Sequence, residues 1–501
     1  MMNPIEFPLW LRVSHYINLL FLGLLIRSGI EILAAHPRLY WNEGCTPESE
    51  WLKFTKKKVP TGGEAVYTAH DDEVSAPSWL ALPGRKNLGL GRHWHGVSTA
   101  FWILNGVVYV TLLFATGAWT RLIPTSWNIF PQALHSLTEY LTLNIPPASE
   151  FHPYDPLQQL TYAAVVFLLG PFLILTGAAM SPAIAARLPW YIRLFGGRQR
   201  ARSLHFLGLA AFVLFTIGHT ILVLSVHFQD NITNIVLGQA GGNVGLAVTI
   251  AVIAVLIAVA IYIWTTWYSL RHKRQVQLAL DTIESPIRKI LFHRLSSVQH
   301  YNETAISPYL WVNGAPPSQE DSPIFIRLAD NHFHEWRLSV EGLVQHPLNL
   351  SLDDLRALPK QEQITLHNCV QGWSGIAQWG GVPLLEVLKR CQPLPEARYV
   401  LINSYGLDQF TYGNKPQQPF YEVIDLELAH HPQTILAYEL NGEPLPLAHG
   451  SPLRLRVETQ LGYKMVKYIR SIELIIDYHA IGEGQGGSRE DTMFYGRGAE
   501  I

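Results

Sequence analysis

Four histidines, His15, His95, His205 and His219, stand in apolar surroundings where membrane-spanning helices would carry them. Imidazole suits iron, and two histidines facing one another fill both axial positions of a haem. His205 and His219 are fourteen residues apart in one apolar stretch. At 1.5 Å per residue that is roughly 21 Å, most of a bilayer core, and close to four full turns, so both rings leave one face. Consecutive spans alternate direction. His95, opening the second stretch, therefore lies at the depth of His205, and His15, opening the first, at the depth of His219. The pattern predicts two bis-histidine pairs, one per leaflet, holding two b haems that pass single electrons across a membrane. One intramembrane histidine is often only a packing residue; four in two depth-matched pairs point to function, because polar groups at depth are costly. His93 competes with His95: the two lie about 200° apart around a helix, so only one faces the bundle, and spacing leaves the choice open. Arg27, about 18 Å along the helix from His15, falls at the depth of the other pair and is expected to meet a haem propionate. Its bland alternative is an intrahelical pair with Glu31. Arg92 and Arg202, each three residues before a histidine, could serve a propionate too.

The second chemistry lies in the C-terminal half. Cys369 of "QITLHNCVQGWSG" follows a strand-like run and leads into a glycine-broken loop, with His367 two residues earlier. A thiolate there could be a soft-metal ligand or a nucleophile. A lone cysteine is more often a small buried hydrophobe, and that reading is applied to Cys45 and Cys391.

These side chains need elements to hold them. Hydrophobic residues make up 48% of the 501 and charged residues only 15%, against roughly 25% charged in an ordinary soluble chain. Five stretches reach the 20 or so apolar residues that cross a bilayer, at about 15–33, 95–119, 160–180, 204–227 and 244–267. The first is not read as a cleaved signal peptide, being too long and lacking a small-residue cleavage site. From about residue 300 to 480 the texture is soluble and mixed. "EWRLSVEGLV", "RYVLIN", "RLRVET" and "KYIRSIELI" read as strands, "SLDDLRALP" (Ser351 as N-cap) and "VPLLEVLKRC" as short helices. Three cysteines without a C-x-x-C pair exclude a disulfide framework and iron–sulfur clusters. A net charge of −2 gives no polyanion-binding signature, so nucleic acid is not an expected partner. The expected fold is an α-helical transmembrane bundle of five spans followed by a soluble α+β domain.

Two resemblances sharpen this. "RVSHYINLLFLGLLIRSG", "GRHWHG" and the His205/His219 spacing resemble the di-haem cytochrome b family, which includes the membrane subunits of formate dehydrogenases and hydrogenases. The likeness covers about residues 8–230. It implies two b haems on His15, His95, His205 and His219, and electron exchange with a quinone or quinol. The fifth span and the long first loop, about 34–93, depart from that pattern. The string around Cys369 resembles the sulfite oxidase family of molybdopterin enzymes, over about residues 305–478. That resemblance implies that Cys369 binds molybdenum. It also implies that Asn313 of "WVNG" and Ser404 of "RYVLINSYG" contact the pterin. Arg454, Lys464 and Lys467 of "GSPLRLRVETQLGYKMVK" would approach its phosphate, with His367 and His449 beside the cofactor. Convergent Arg and Lys suit a phosphate dianion physically; the bland alternative is a basic surface face. Asn368 and His449 depart from the family's usual Arg and Asn, so substrate identity does not carry over.

The reading that follows has four parts: residues 1–270, a di-haem cytochrome b transmembrane domain; 271–304, a linker; 305–481, a molybdopterin oxidoreductase domain; and 482–501, a glycine-rich tail or loosely packed arm. The expected reaction is oxo transfer at a Cys369-ligated molybdenum, with small S- or N-oxides or sulfite-like compounds as substrates, coupled through the haems to the quinone pool. The alternative is a membrane electron conduit whose soluble domain is a non-catalytic docking module. Sixteen Lys and Arg flank the spans on the side of the soluble domain and only Arg12 and Arg121 on the other. The positive-inside rule then puts that domain in the cytoplasm of a bacterial inner membrane. The family orientation argues for the opposite side.

Overall fold

A computed structural model describes residues 7–60, 66–142, 144, 154–239, 241–292, 298–408 and 418–492. Among the described residues five helices are long and apolar enough to cross a membrane: α1 Leu9–Ala35, α2 Leu88–Ala115, α3 Pro156–Met180, α4 Arg198–Ser225 and α5 Val244–Arg271. They are the five stretches read from the sequence, but α1, α2 and α4 begin six or seven residues before His15, His95 and His205. α1 packs along α2, and α3 along α4. Their outer faces leave Leu104, Val107, Leu214, Leu256 and Ile263 exposed, which a hydrocarbon solvent covers and water would not. The chain is a multi-pass membrane protein. In α3 the backbone widens to a π turn over Val165–Leu169. Pro171 lies just beyond, and its missing N–H and bulky ring disturb the preceding turn.

The first loop is a folded cap. Arg38–Leu39 pairs with Leu52–Lys53, and Thr68 caps the short helix Ala69–Asp72 reciprocally with Asp71. Arg38, buried, binds Asp72 and Glu50. After α5, the expected linker is largely helical: α6, Lys273–Phe292, packs back on α2.

Among the described residues the soluble domain has ten strands: β1 Leu338–Gly342, β2 Leu348–Leu350, β3 Gln361–Asn368, β4 Ser374–Pro383, β5 Tyr399–Leu407, β6 Pro419–Asp425, β7 Thr434–Leu440, β8 Glu443–Pro444, β9 Arg454–Val457 and β10 Ile469–Ile475. One sheet runs β2-β1-β10-β5-β6, and the other β8-β7-β4-β3 with β9 also on β7. The β1–β10 pair is parallel, with Val340 opposite Ile472. Alternating residues Leu338, Val340, Val400, Ile402 and Ile472 of the first sheet meet Val382, Leu436 and Leu455 of the second. The helix Leu384–Cys391 adds Val387, Leu388 and Cys391 to that core, so Cys391 is a packing residue. Ser351 caps Leu352–Arg356 as expected. The tail expectation is corrected for residues 482–492: Gly487 bridges to Glu422, Gly486 O accepts from Val423 N, and Ser488–Asp491 is helical.

Candidate active site and electron path

Strands β3 and β4 form a hairpin with Asn368 opposite Ser374. Its five-residue tip is Cys369–Trp373. Cys369 N donates to Trp373 O and Gly372 N to Cys369 O, both at 3.1 Å. Gly372 has φ +110°, a conformation L side chains rarely adopt. The turn aims the Cys369 thiol inward, where it is fully buried and lies 3.7 Å from Gln371 Oε1. Burial pushes this thiol up to about 12, against the pull of a backbone bond at Gln371 and of Arg198, Arg92 and Arg489. Deprotonation there needs a further positive charge, of the kind a bound metal ion would supply.

Beside the hairpin is a cleft open to solvent, lined among others by Asn313, His367, Ser404, His449, Arg454, Lys467 and Arg489. Arg454 donates to His449 O at 2.8 Å, and its Nε is buried without a partner. Lys467 Nζ donates to two carbonyls, Gly314 O at 2.8 Å and Ala448 O at 3.0 Å. Burial, then Arg454, pushes the Lys467 ammonium well below its ordinary value. Burial and Arg456 lower Arg454 to about 9, and burial with Arg454 and Lys467 lowers His449 to about 3. Crowded cations that depress one another are what an anionic group would relieve, so a pterin phosphate fits. Ser404 Oγ donates to Lys467 O at 2.7 Å. His367 Nδ1 accepts from Arg456 at 2.9 Å, and a Cβ on Gly462 would come within 2.3 Å of its ring, so glycine is required there. Lys464 is a correction: it is absent from the cleft lining and is buried between Glu422 (2.8 Å) and Glu490 (2.5 Å). Its charge is already neutralised.

In the membrane half the histidines pair as their spacing predicts. The His15 and His219 ring centroids are 6.2 Å apart, and those of His95 and His205 6.5 Å. Two imidazoles on one metal ion, with bonds of about 2.0–2.1 Å, give roughly 6.3 Å between ring centres. Hydroxyls occupy the Nδ1 atoms: Ser28 on His95 at 3.0 Å, Thr176 on His205 at 3.1 Å and Tyr162 on His219 at 3.3 Å. Such a partner fixes the tautomer and leaves Nε2 to coordinate. Each pair thus fits a bis-histidine haem. His93 faces away, its Nδ1 2.7 Å from Glu284 of α6. Arg27 is a second correction. Its guanidinium binds Tyr262 O, Ser78 O, Ala81 O and Thr266 Oγ1, so it joins α1 to α5 and the first loop rather than a propionate. Glu31 is not its partner either and accepts from Asn87 N at 2.5 Å.

The membrane half and the Cys369 hairpin meet at the starts of α2 and α4. Arg92 Nη1 donates to Val370 O at 3.1 Å, and Arg198 Nη1 to Asn368 Oδ1 at 3.2 Å. Gln199 Nε2 donates to Gly372 O and to Ser374 Oγ, both at 2.9 Å. Arg202 is held by the first loop, on Arg38 O and His36 O. The helices that carry His95 and His205 therefore grip the Cys369 hairpin. Gln199 is six residues before His205, about 9 Å along the helix. Sequence reasoning missed Arg198 and Gln199 as hairpin contacts, Arg489 at the cleft, and Gln371 and His70 behind Cys369. Gln371 was legible as part of the Cys369 string; the others are far away in sequence and carried no local signal.

Comparison with known proteins follows the same division. A profile described as prokaryotic cytochrome b561 matches residues 6–238, and one described as oxidoreductase molybdopterin binding domain matches residues 326–480. The fifth span lies outside both. A chain provisionally named protein-methionine-sulfoxide reductase subunit YedZ1, from Azospira oryzae, is 39% identical over 159 residues, 32% of this chain and 54% of that one. The protein-methionine-sulfoxide reductase catalytic subunit MsrP of Xanthomonas campestris pv. campestris is 39% identical over 144 residues, 28% of this chain and 45% of that one. MsrP of Ralstonia nicotianae is 36% identical over 146 residues, 28% and 44% respectively. The chain spans about half the length of these relatives.

Proposed function

We propose that this chain, which joins a cytochrome b561 domain to a molybdopterin-binding oxidoreductase domain in one polypeptide, couples oxo transfer at a Cys369-ligated molybdenum to two b haems and the quinone pool. One observation carries the reading: the hairpin bearing Cys369 is gripped by the two helices bearing His95 and His205. Molybdenum supplies two-electron oxo transfer and haem iron one-electron steps. The residues divide the remaining work. Arg454 and Lys467 hold the cofactor phosphate, Asn313 and Ser404 its pterin, and His367 and His449 line the same cleft. Cys369 fixes the metal end. His95–His205 holds the haem near the soluble domain, and His15–His219 the haem across the bilayer, where quinol exchange belongs. The substrate class is a small S-oxide or N-oxide, or a sulfite-like compound, with a sulfoxide favoured by the names of the relatives. The membrane is a bacterial inner membrane, with the soluble domain on the cytoplasmic, positively charged side. The crowded cations of the cleft argue against a merely non-catalytic docking module. The test is anaerobic: quinol-reduced protein of known haem and molybdenum content is mixed with candidate S- and N-oxides. Haem reoxidation that tracks molybdenum content supports the reading, and reoxidation without molybdenum refutes it.

A further inference from the structure

The loop between α2 and α3 carries a helix that the five spans do not account for, Ile129–Leu141. It packs on the first turns of α3, and Tyr140 OH donates to Asp155 Oδ2 at 2.6 Å. Asp155 is itself the N-cap of α3, accepting from Leu157 N and Gln158 N. The helix is therefore fixed at the membrane end opposite the Cys369 hairpin, which meets the start of α2. Successive helical residues are about 100° apart, which divides this helix into three sides. Ile129 and Ala133 are buried and form the packed side. Phe130, Leu134, Leu137 and Leu141, spaced by four, three and four residues, fall within an arc of about 60° next to it. Gln132 and His135 lie on the opposite side and are exposed. The apolar stripe is exposed as well: Leu134 is 64% and Leu141 76% accessible, and Trp127, just before the helix on the same line, 84%.

We propose that this helix lies in the plane of the membrane, with the stripe of Phe130, Leu134, Leu137 and Leu141 sunk into the boundary between headgroups and acyl chains. The occupant of the stripe is lipid, and three observations favour it. First, the stripe continues a lipid-facing surface. The helix sits between two spans whose own exposed residues include Phe114 of α2 and Leu168 of α3. Second, the charges suit a neutral surface. Residues 116–155 contain one Lys or Arg, Arg121, and His135 of the helix stands 3.5 Å from Glu139. A helix joined covalently to two spans needs no attraction to anionic headgroups, and its buried apolar area is enough to hold it at the interface. Third, Trp127 enters the stripe where the chain approaches the helix, and tryptophan favours the headgroup level. Facing water, the same side chains would form a contiguous apolar patch of the kind that drives association. The level of the helix also bears on the functional reading above. Tyr162, which bonds His219, is seven residues past Asp155, about 10 Å along α3. The His15–His219 pair then lies that far inside the boundary, within the hydrocarbon, where a lipid-soluble quinol can reach it.

The test uses full-length, haem-loaded protein in phosphatidylcholine nanodiscs, with a nitroxide placed by Leu134→Cys, Leu141→Cys, Gln132→Cys or His135→Cys. The three native cysteines are buried, and the wild type measures any background label. Both haems should be retained in every variant. Labels at 134 and 141 should collide with oxygen in preference to a water-soluble nickel chelate, and labels at 132 and 135 should show the reverse, with the collision ratio differing several-fold between the two sides. Equal access of the nickel chelate to all four positions would overturn the proposal, placing the helix clear of the bilayer. Spin–spin broadening at 134 that vanishes on dilution with unlabelled protein would also overturn it, making a second copy of this chain the occupant. The readout is independent of molybdenum chemistry, so failure of the functional reading would leave this result standing.

Discussion

Cys369 differs from the other two cysteines in where its thiol points, not in how deeply it is buried. All three are buried, but Cys391 sits in the sandwich core and Cys369 at a hairpin tip against Gln371. Cys369→Ser keeps the volume and exchanges a soft thiolate for a hydroxyl of very low acidity. Both haems and the pterin should be retained, and reduced haems should no longer be reoxidised by the acceptor that serves the wild type. Cys391→Ser and Cys45→Ser should leave reoxidation within a small factor of normal. Normal reoxidation in Cys369→Ser would show that the thiol only packs. Lys464 makes a contrasting prediction. Removing it leaves Glu422 and Glu490 buried together, and burial already pushes the Glu422 carboxyl up, with Glu490 adding to it. Lys464→Met should cost the soluble domain about 3–5 kcal/mol, read as a lower melting temperature. A wild-type melting temperature with lost pterin binding would return Lys464 to the phosphate.

At the scale of elements, the β3–β4 hairpin and the first turns of α2 and α4 act as one clamp. Gln199 is the hinge of that argument, since its amide bonds both Gly372 O and Ser374 Oγ. Gln199→Leu should preserve haem and molybdenum content yet slow substrate-driven haem reoxidation roughly ten- to hundredfold, the order expected when reacting groups are displaced by about 1 Å. Stopped-flow reoxidation of pre-reduced protein reads this directly, and a wild-type rate would show that the clamp is incidental. Within the bundle, the ligands should fail in pairs. His95→Ala or His205→Ala should lose one haem, His15→Ala or His219→Ala the other. His93→Ala should keep both, because His93 faces Glu284 of α6; loss of a haem in that variant alone would reverse the assignment.

For the whole molecule, the open quantity is orientation. The charge count behind a cytoplasmic soluble domain includes residues that the fold uses. Arg38 is in buried ion pairs, and Arg92 and Arg198 hold the Cys369 hairpin. Lys53, Lys56, Lys58, Arg85, Lys86, Arg193, Arg271 and Lys273 still outnumber Arg12 and Arg121 on the other side. A reporter fused after Arg274 should therefore read as cytoplasmic, and an exported signal would overturn that side. The same preparation should contain two haems per chain.

Local pattern determined much of this protein. A run of about 20 apolar residues has few alternatives to a spanning helix, so all five spans were legible. A fourteen-residue spacing fixes both depth and face, so the pairing of His15 with His219 and of His95 with His205 followed from the helix period. Strand alternation likewise located β1, β5, β9 and β10. Tertiary structure decided what periodicity cannot carry. The choice between His93 and His95 turned on α6, which the sequence offered only as a linker. Arg27 and Lys464 looked like cofactor ligands by depth and by motif. Their partners, Tyr262, Thr266, Glu422 and Glu490, come from elements 26 to 239 residues away. His70 and Gln199 reach the hairpin, and Arg489 the cleft, for the same reason: a side chain's chemistry is set by what packs against it, and long-range packing leaves no period in the sequence.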